Sequence, residues 1–108
     1  MQTSKIYILI KNKIPVGHAC NCAAHASLAL YLEHPNRVYV DQWANESFRK
    51  VSCKVDEETF YKAKDFIGKI PHTLITESVL GGAECAIAFG PLPHNEWPDF
   101  FKTLSLYR

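Results

Sequence analysis

A short apolar run followed by a long alanine-rich segment constrains the possible folds of this chain more than any other feature. Lys5–Ile10 (KIYILI) is rich in β-branched and aromatic residues, which is typical of a central strand covered on both faces. Pro15 ends this run, and Gly17–Glu33 (GHACNCAAHASLALYLE) then predicts a helix with small residues for close packing. A strand followed directly by a helix forms a βα unit, whose connecting turn is a common place for chemistry. We therefore expect the functional site at the start of this helix.

The rest of the chain predicts further alternation of strands and helices. Arg37–Trp43 is ambiguous, since its Val-Tyr-Val sequence fits either a short edge strand or a link. The other predicted elements are strands at Phe48–Val55, Pro71–Thr76 and Glu84–Phe89, helices at Glu57–Ile67 and from His94–Pro98 onward, a loop at Glu77–Gly82, a turn at Gly90–Pro93, and an edge strand at Leu104–Tyr107. The order β-α-β-α-β-β-α predicts one α/β domain over residues 1–108. Its expected architecture is a three-layer α/β/α fold with a mixed, about four-stranded sheet.

Composition excludes several classes of protein. The chain has 108 residues and a formal net charge of +1, which argues against a dedicated binder of polyanions. A local RNA-binding patch remains an alternative, formed by Lys11, Lys13, Arg37, Arg49 and Lys50. No apolar run has the length of a membrane helix, and no secretory segment is evident, so we expect a cytoplasmic protein that does not enter membranes. The four cysteines are expected to be reduced, because Cys20 and Cys22 point in different directions on the helix.

The predicted first helix has two distinct faces. Positions 19, 23, 26 and 30 are Ala, Ala, Ala and Leu, a face suited to packing on the sheet. Positions 18, 22, 25 and 29 are His, Cys, His and Ala, with Asn21 beside them. This second face is polar but uncharged, a mixture expected at the rim of a site.

Several segments resemble one family in order and spacing. The helix opens with Gly17, and His25-Ala26 follows eight residues after that glycine. The downstream landmarks are Trp43, the strand Lys50–Val55, Asp56 at a helix start, Leu74–Thr76 before Glu77, Ala86–Pro91 (AIAFGP) and Leu104–Tyr107. With these landmarks the chain resembles the type II peptidyl-tRNA hydrolase family over nearly its whole length. Asn21–His25 is also similar to a segment in uncharacterised relatives of that fold, where an Asn precedes Ala-Ala-His.

The resemblance implies hydrolysis of the ester between peptide and tRNA, or of a related ester, without metal or cofactor. It implies catalytic roles for His18 as base or as a contact on the phosphate side, Glu77 as orienting carboxylate and His25 as support. Substrate-binding roles are expected for Lys13, Gly17, Asn21 and Cys22. It further implies tRNA as a partner and a homodimer.

The chain departs from the family pattern at the residues nearest the expected chemistry. The family's lysine is His18 and its aspartate is Glu77, while the following segment Ser78–Ala83 is shorter and has no Thr, Arg or Pro. The alternative function is therefore a catalytically degenerate relative that binds a ligand or a partner.

Two other kinds of site are compatible with the sequence. His18, Cys22 and His25 could face one metal ion, with Cys85 or His94 as a further ligand, although no CxxC pair is present. Cys22 could instead act as a nucleophile, since a helix N-terminus lowers the pKa of a thiol. The interpretation we favour has neither.

Overall fold

One mixed four-stranded sheet forms the centre of the molecule. The computed structural model describes residues 3–108, apart from the side chain of Val79, so the first two residues of the predicted domain 1–108 lie outside the described residues. The strands are β1 (Ser4–Lys11), β2 (Arg49–Val55), β3 (His72–Glu77) and β4 (Ala83–Pro93), in the order β2-β1-β4-β3. β1 and β2 are parallel, whereas β4 is antiparallel to both β1 and β3. The ends of β1, β2 and β3 therefore lie together with the start of β4, at what we call the upper edge of the sheet.

The first face of the sheet is covered by α1 (Val16–Glu33) and α2 (Arg37–Asn45). Isoleucines from β1 contact the alanine face of α1 here, as the sequence predicts. The neighbouring residues of β4 are cysteine and alanine, which are about as small as the residues of that helix face. We call this layer the small-residue core. Its characteristic members are Ala19, Cys22, Ala26, Cys85, Ala86 and Ala88.

The second face is covered by α3 (Glu57–Ala63) and α4 (Asp99–Lys102). We call this layer the aromatic core, with characteristic members Tyr7, Phe60, Phe89, Trp97 and Phe101. Ring centroids are 4.7 Å apart for Tyr7 and Trp97 and 4.9 Å apart for Trp97 and Phe101, both in edge-to-face geometry. The two layers confirm the predicted α/β/α architecture with a mixed four-stranded sheet.

The ambiguous segment after α1 is a helix, and the two predicted alternatives for it were both wrong. The side chain of Asn36 caps the helix by accepting a hydrogen bond from the backbone N–H of Tyr39 at 3.1 Å. Val40 and Trp43, three residues apart, are the buried members of α2. This spacing matches a helical period, and it outweighs the β-propensity of Val-Tyr-Val.

The predicted turn at Gly90–Pro93 was also wrong, because β4 continues through it to Pro93. Gly90 has φ of +112°, and the pairing register of β4 with β1 shifts between Lys5 and Tyr7. A Cβ atom on residue 90 would lie 3.0 Å from the ring of Trp97 and 3.1 Å from the carbonyl oxygen of Lys5. Glycine thus allows the strand to bulge here without ending.

Other boundaries differ by a few residues. The predicted helix Glu57–Ile67 is α-helical to Ala63 and ends as a 3₁₀ turn at Lys64–Phe66. The C-terminal segment forms a 3₁₀ turn at His94–Glu96 before α4 and then pairs with β2 through a single bridge between Cys53 and Leu106. None of the helices formed by residues 3–108 has the length and hydropathy that a membrane span requires.

Candidate functional site

The candidate site lies at the upper edge, where β3 ends against the first turns of α1. Glu77 is the last residue of β3, and its carboxylate is half-buried. The Sγ atom of Cys22 donates a hydrogen bond to Oε2 of Glu77 at 3.8 Å, across 55 residues of sequence. The topology thus brings the predicted carboxylate to the predicted helix, as expected for the carboxyl ends of strands in an α/β sheet.

A second thiol completes this contact. Cys22 and Cys85 are both fully buried, and their Sγ atoms lie within 4.8 Å of each other. The Sγ atoms of Cys22 and Cys85 and a carboxylate oxygen of Glu77 all lie within 4.8 Å of one another. We call this group the thiol–carboxylate cluster. Among residues 3–108 it is the one set of three His, Cys, Asp or Glu groups close enough to hold a single metal ion.

Burial and the neighbouring groups keep both thiols protonated. Burial, followed by the influence of Cys85 and Glu77, raises the pKa of Cys22 to about 12. Burial likewise raises the pKa of Cys85; the neighbouring thiol of Cys22 acts in the opposite direction with a smaller effect, and the charge of Glu77 acts in the same direction as burial. Cys22 is therefore a neutral thiol at pH 7, and this environment does not favour the nucleophile hypothesis, which requires a thiolate.

The position of Cys22 corrects the predicted polar face of α1. Cys22 packs with Ala19, Ala26 and Leu30 in the small-residue core, whereas Cys20 and His25 are exposed. A spacing of three residues therefore does not keep Cys22 and His25 in one environment. A stripe at positions 19, 22, 26 and 30 describes the buried face better than the predicted stripe, which had Ala23 in place of Cys22.

Cys85 is a member of the site that the sequence named only as a possible further ligand in the alternative metal site. Thr76 pairs with Glu84 and Ile75 pairs with Ala86, so Cys85 is an extra residue on β4. Such a bulge redirects a side chain, and both Cys85 and Ala86 are in the small-residue core. No turn residue or glycine marks this bulge in the sequence, so only the cysteine itself could have drawn attention to the position.

The other predicted site residues surround the start of α1. His18 is half-buried and lies one helical turn before Cys22, whereas Lys13, Gly17, Asn21 and His25 are exposed. A Cβ atom on Gly17 would meet no atom within 4 Å, so the space above the first turn is open. This turn contains no acidic residue, and no side chain caps its N–H groups. It therefore presents the positive end of the helix dipole to solvent.

The alternative basic patch is not one surface. Lys11 and Lys13 are at the upper edge, while Arg49 and Lys50 begin β2 at the opposite edge. Six residues of extended chain separate these ends, a distance of roughly 20 Å. Lys11 also pairs with Glu57 at 3.3 Å, and Arg37 pairs with Asp41 at 3.0 Å. The five cations thus form separate groups, and two of them have acidic partners.

Two cavities lie away from Glu77. One of about 500 Å³ separates α1 from α2 and is lined by Ala24, Leu28, Trp43, Phe48 and Lys50, among others. The other, of about 530 Å³, is at the opposite edge of the sheet, near Ser4, Tyr39 and Arg49. Neither is lined by His18 or Glu77. These two cavities are therefore separate from the upper edge, where the start of α1 meets the end of β3.

Comparison with known proteins identifies the family. Curated protein sequences gave no significant match to this chain. The family described as Peptidyl-tRNA hydrolase PTH2, however, matches residues 4–107. This match spans every strand and helix described above, from β1 through the bridge at Leu106. Together with the predicted α/β/α architecture, it establishes that the chain belongs to the peptidyl-tRNA hydrolase PTH2 family.

Proposed function

We propose that this protein hydrolyses peptidyl-tRNA or a related ester at the upper edge of its sheet, in a reaction in which Glu77 orients the attacking water. The observation that carries the proposal is the approach of Glu77 to the first turns of α1, with 3.8 Å between its Oε2 atom and Sγ of Cys22. Family membership supports the reaction class. In the proposed reaction, water attacks the ester carbonyl and the tRNA hydroxyl leaves.

His18 is the proposed base. It is half-buried and lies one helical turn before Cys22, the residue that contacts Glu77. His18 and the carboxylate of Glu77 are therefore both at the N-terminal end of α1. Histidine is suited to accept a proton from water near neutral pH. His25 is exposed one turn after Asn21 and is proposed to contact substrate outside the cluster.

The first turn of α1 is the proposed oxyanion site. The N–H groups of Gly17 and His18 precede the first intrahelical hydrogen bond, in which the N–H of Ala19 donates to the carbonyl of Pro15 at 2.8 Å. Their positive potential would stabilise the negative charge that develops on the carbonyl oxygen. Lys13 and Asn21 are exposed near this turn and are proposed to bind the tRNA end of the substrate.

One observation favours the degenerate, ligand-binding alternative. The connection after Glu77 is a single 3₁₀ turn at Ser78–Leu80 followed by Gly81 and Gly82, both with positive φ. A backbone hydrogen bond from the N–H of Gly82 to the carbonyl of Glu77, at 3.0 Å, closes this connection. So tight a turn brings few additional side chains over the upper edge.

Release of peptide from peptidyl-tRNA by the purified protein distinguishes the two functions. Under the proposal, Glu77→Gln lowers kcat/KM by roughly 10²- to 10⁴-fold, because the neutral amide no longer orients or polarises the water. His18→Ala should have an effect of similar size. Glu58→Gln, at an exposed carboxylate of α3, is the matched control and should leave the rate unchanged.

Two results would contradict the proposal. If the wild-type protein released no peptide where another member of the family did so under the same conditions, the ligand-binding alternative would replace it. If Glu77→Gln hydrolysed at the wild-type rate, Glu77 would have no role in the reaction.

A further inference from the structure

We propose that Cys22, Cys85 and Glu77 form a binding site for a zinc ion. Three elements that are distant in sequence, namely α1, β3 and β4, each contribute one potential ligand. Nothing in the proposed hydrolysis requires two cysteines at this position. The interpretation favoured from the sequence has no metal. The alternative metal site had His18, Cys22 and His25 as ligands, with Cys85 or His94 as a further ligand, so the site proposed here shares Cys22 and Cys85 with it and replaces the histidines with Glu77.

The separation of the ligand atoms is close to that of a zinc site. With Zn–S near 2.3 Å and Zn–O near 2.1 Å, tetrahedral geometry places a sulfur and an oxygen ligand roughly 3.6 Å apart. The observed separation of Sγ of Cys22 from Oε2 of Glu77 is 3.8 Å. Two sulfur ligands of one zinc ion are roughly 3.8 Å apart, and all three atoms here lie within 4.8 Å. Side-chain adjustments of no more than about 1 Å would complete the geometry.

The donor set selects the kind of metal. Two sulfur ligands favour zinc over magnesium or calcium, which prefer oxygen ligands. Both thiols are fully buried, whereas Glu77 is half-buried and thus the one ligand of the three that is in contact with solvent. Three protein ligands leave the fourth position of a tetrahedral ion for water or another small ligand. On binding, three bonds to zinc form, and the two thiol protons are released to solvent.

The other cysteines do not share this arrangement. Cys20, two residues from Cys22, is exposed. Cys53 is buried, but it lies in the aromatic core on the opposite face of the sheet. These two residues therefore provide controls for an exposed thiol on the same helix and for a buried thiol elsewhere.

The test is a titration of the metal-free, chemically reduced protein with Co²⁺, followed by competition with Zn²⁺, without any substrate. The thiolate-to-cobalt charge-transfer absorption should appear at one equivalent of Co²⁺ and disappear as Zn²⁺ displaces the cobalt ion. Cys22→Ser and Cys85→Ser should each weaken zinc binding by more than about 100-fold, since loss of an outer-shell partner already costs 10- to 100-fold. Glu77→Gln should weaken binding but retain the absorption. Cys20→Ser and Cys53→Ser should bind as the wild type does.

X-ray absorption of the zinc-loaded wild-type protein gives a test that needs no variant to fold. Two sulfur neighbours near 2.3 Å, with the remaining neighbours oxygen or nitrogen, are expected. A shell without sulfur, no charge-transfer absorption in the wild-type protein, or unchanged absorption in a folded Cys22→Ser, Cys85→Ser double variant would each overturn the proposal. A Cys22–Cys85 disulfide in a protein that binds no zinc when reduced would overturn it as well.

One consequence rests on the proposed function: zinc at this site would occupy Glu77 and thereby inhibit hydrolysis. The binding titration is independent of that consequence. Zinc binding by a protein without hydrolase activity would support the metal site and contradict the proposed function. Hydrolysis that depends on Glu77 in a protein that binds no zinc would do the reverse.

Discussion

The two faces of the sheet are packed in opposite ways. The aromatic core holds α3 and α4 through large rings, with Phe89 and Phe101 in edge-to-face contact at 5.2 Å. The small-residue core holds α1 through alanines and cysteines. Large rings contribute buried apolar area, whereas small side chains allow the backbone of a helix to approach the sheet closely. One face therefore supplies much of the stability, and the other sets the distance between α1 and the strand ends.

The buried polar groups follow the same division. His34 and Thr73 are the buried polar residues among the described part of the chain. Thr73 donates a hydrogen bond to Glu33 at the end of α1 at 2.9 Å, and His34 directly follows α1. The thiol–carboxylate cluster is on this face too. The contacts of the candidate site and the buried polar side chains are thus on the face that has the smaller side chains.

The largest expected effect is loss of a ring from the aromatic core. Phe101 is 1% exposed and contacts the rings of Tyr7, Phe66, Phe89, Trp97 and Phe100. Phe101→Ala should lower the free energy of unfolding by about 3–5 kcal/mol, because the small side chain leaves a cavity that its neighbours fill only in part. Denaturant unfolding measures this change. Amide chemical shifts of Glu77 and Cys85, across the sheet, should change little.

Tyr61→Ala provides the control, since Tyr61 is a 74% exposed aromatic residue of α3. The free energy of unfolding of the Tyr61→Ala variant should stay within about 0.5 kcal/mol of the wild-type value. Equal losses in the two variants would show that burial in the aromatic core is not the source of the effect.

A smaller loss of stability with a larger effect on the site is expected from enlarging α1. Ala26 is fully buried against the sheet. Ala26→Leu should cost about 1–3 kcal/mol, because the added atoms have no space and the helix must move outward. That movement should separate Cys22 from Glu77, so the amide shifts of Glu77 and Cys85 should change strongly. Ala24→Leu, at an exposed position of the same helix, should change neither stability nor these shifts appreciably.

The effects of Ala26→Leu and Phe101→Ala on the amide shifts of Glu77 and Cys85 test whether the two faces of the sheet have different roles. If Ala26→Leu left the shifts of Glu77 and Cys85 unchanged, the small-residue core would not control the site. If Phe101→Ala changed them as strongly as Ala26→Leu, the sheet would transmit packing defects, and the division between the faces would fail.

The elements of the fold could be predicted because their local patterns agree with their tertiary environment. The β-branched run of β1 and the alanine face of α1 are read directly from hydrophobic periodicity. The helix α2 was missed because three residues with high β-propensity outweighed the spacing of Val40 and Trp43. The local sequence at Gly90 predicts a turn, because a glycine of positive φ inside a strand is favoured here by packing against Trp97, which is not evident from the neighbouring residues.

The site could be predicted only in part, for a related reason. Glu77 was expected near the start of α1, since strand ends and helix starts meet at one edge of an α/β sheet. Its contact with Cys22 depends on which face of α1 turns inward, and the inclusion of Cys85 depends on a bulge in β4. Both are properties of register and packing that a single sequence does not specify. The cytoplasmic location and the homodimer remain predictions.

The smallest expected effect is a dependence of stability on pH that arises from one histidine of the α1–α2 face. His34 is 5% exposed, and its Nδ1 accepts a hydrogen bond from the backbone N–H of Asn36 at 3.0 Å. Its Nε2 is buried without a hydrogen-bond partner among the described residues. Burial lowers the pKa of His34 below the ordinary value of 6.5, and the charge of Arg37 acts in the same direction.

The sign of the pH effect follows from which state binds the proton. As the pH falls below about 6.5, the unfolded chain protonates His34 while the folded chain does not, so the free energy of unfolding decreases by up to about 1.4 kcal/mol per pH unit. Protonating the folded form would place a hydrogen on Nδ1, where it would displace the N–H of Asn36. Denaturant unfolding between pH 5 and 7 should therefore show a steeper slope for the wild type than for His34→Gln. The matched control, His25→Gln at an exposed position of α1, should retain the wild-type slope. Identical slopes for wild type and His34→Gln would exclude His34 as the source of this dependence on pH.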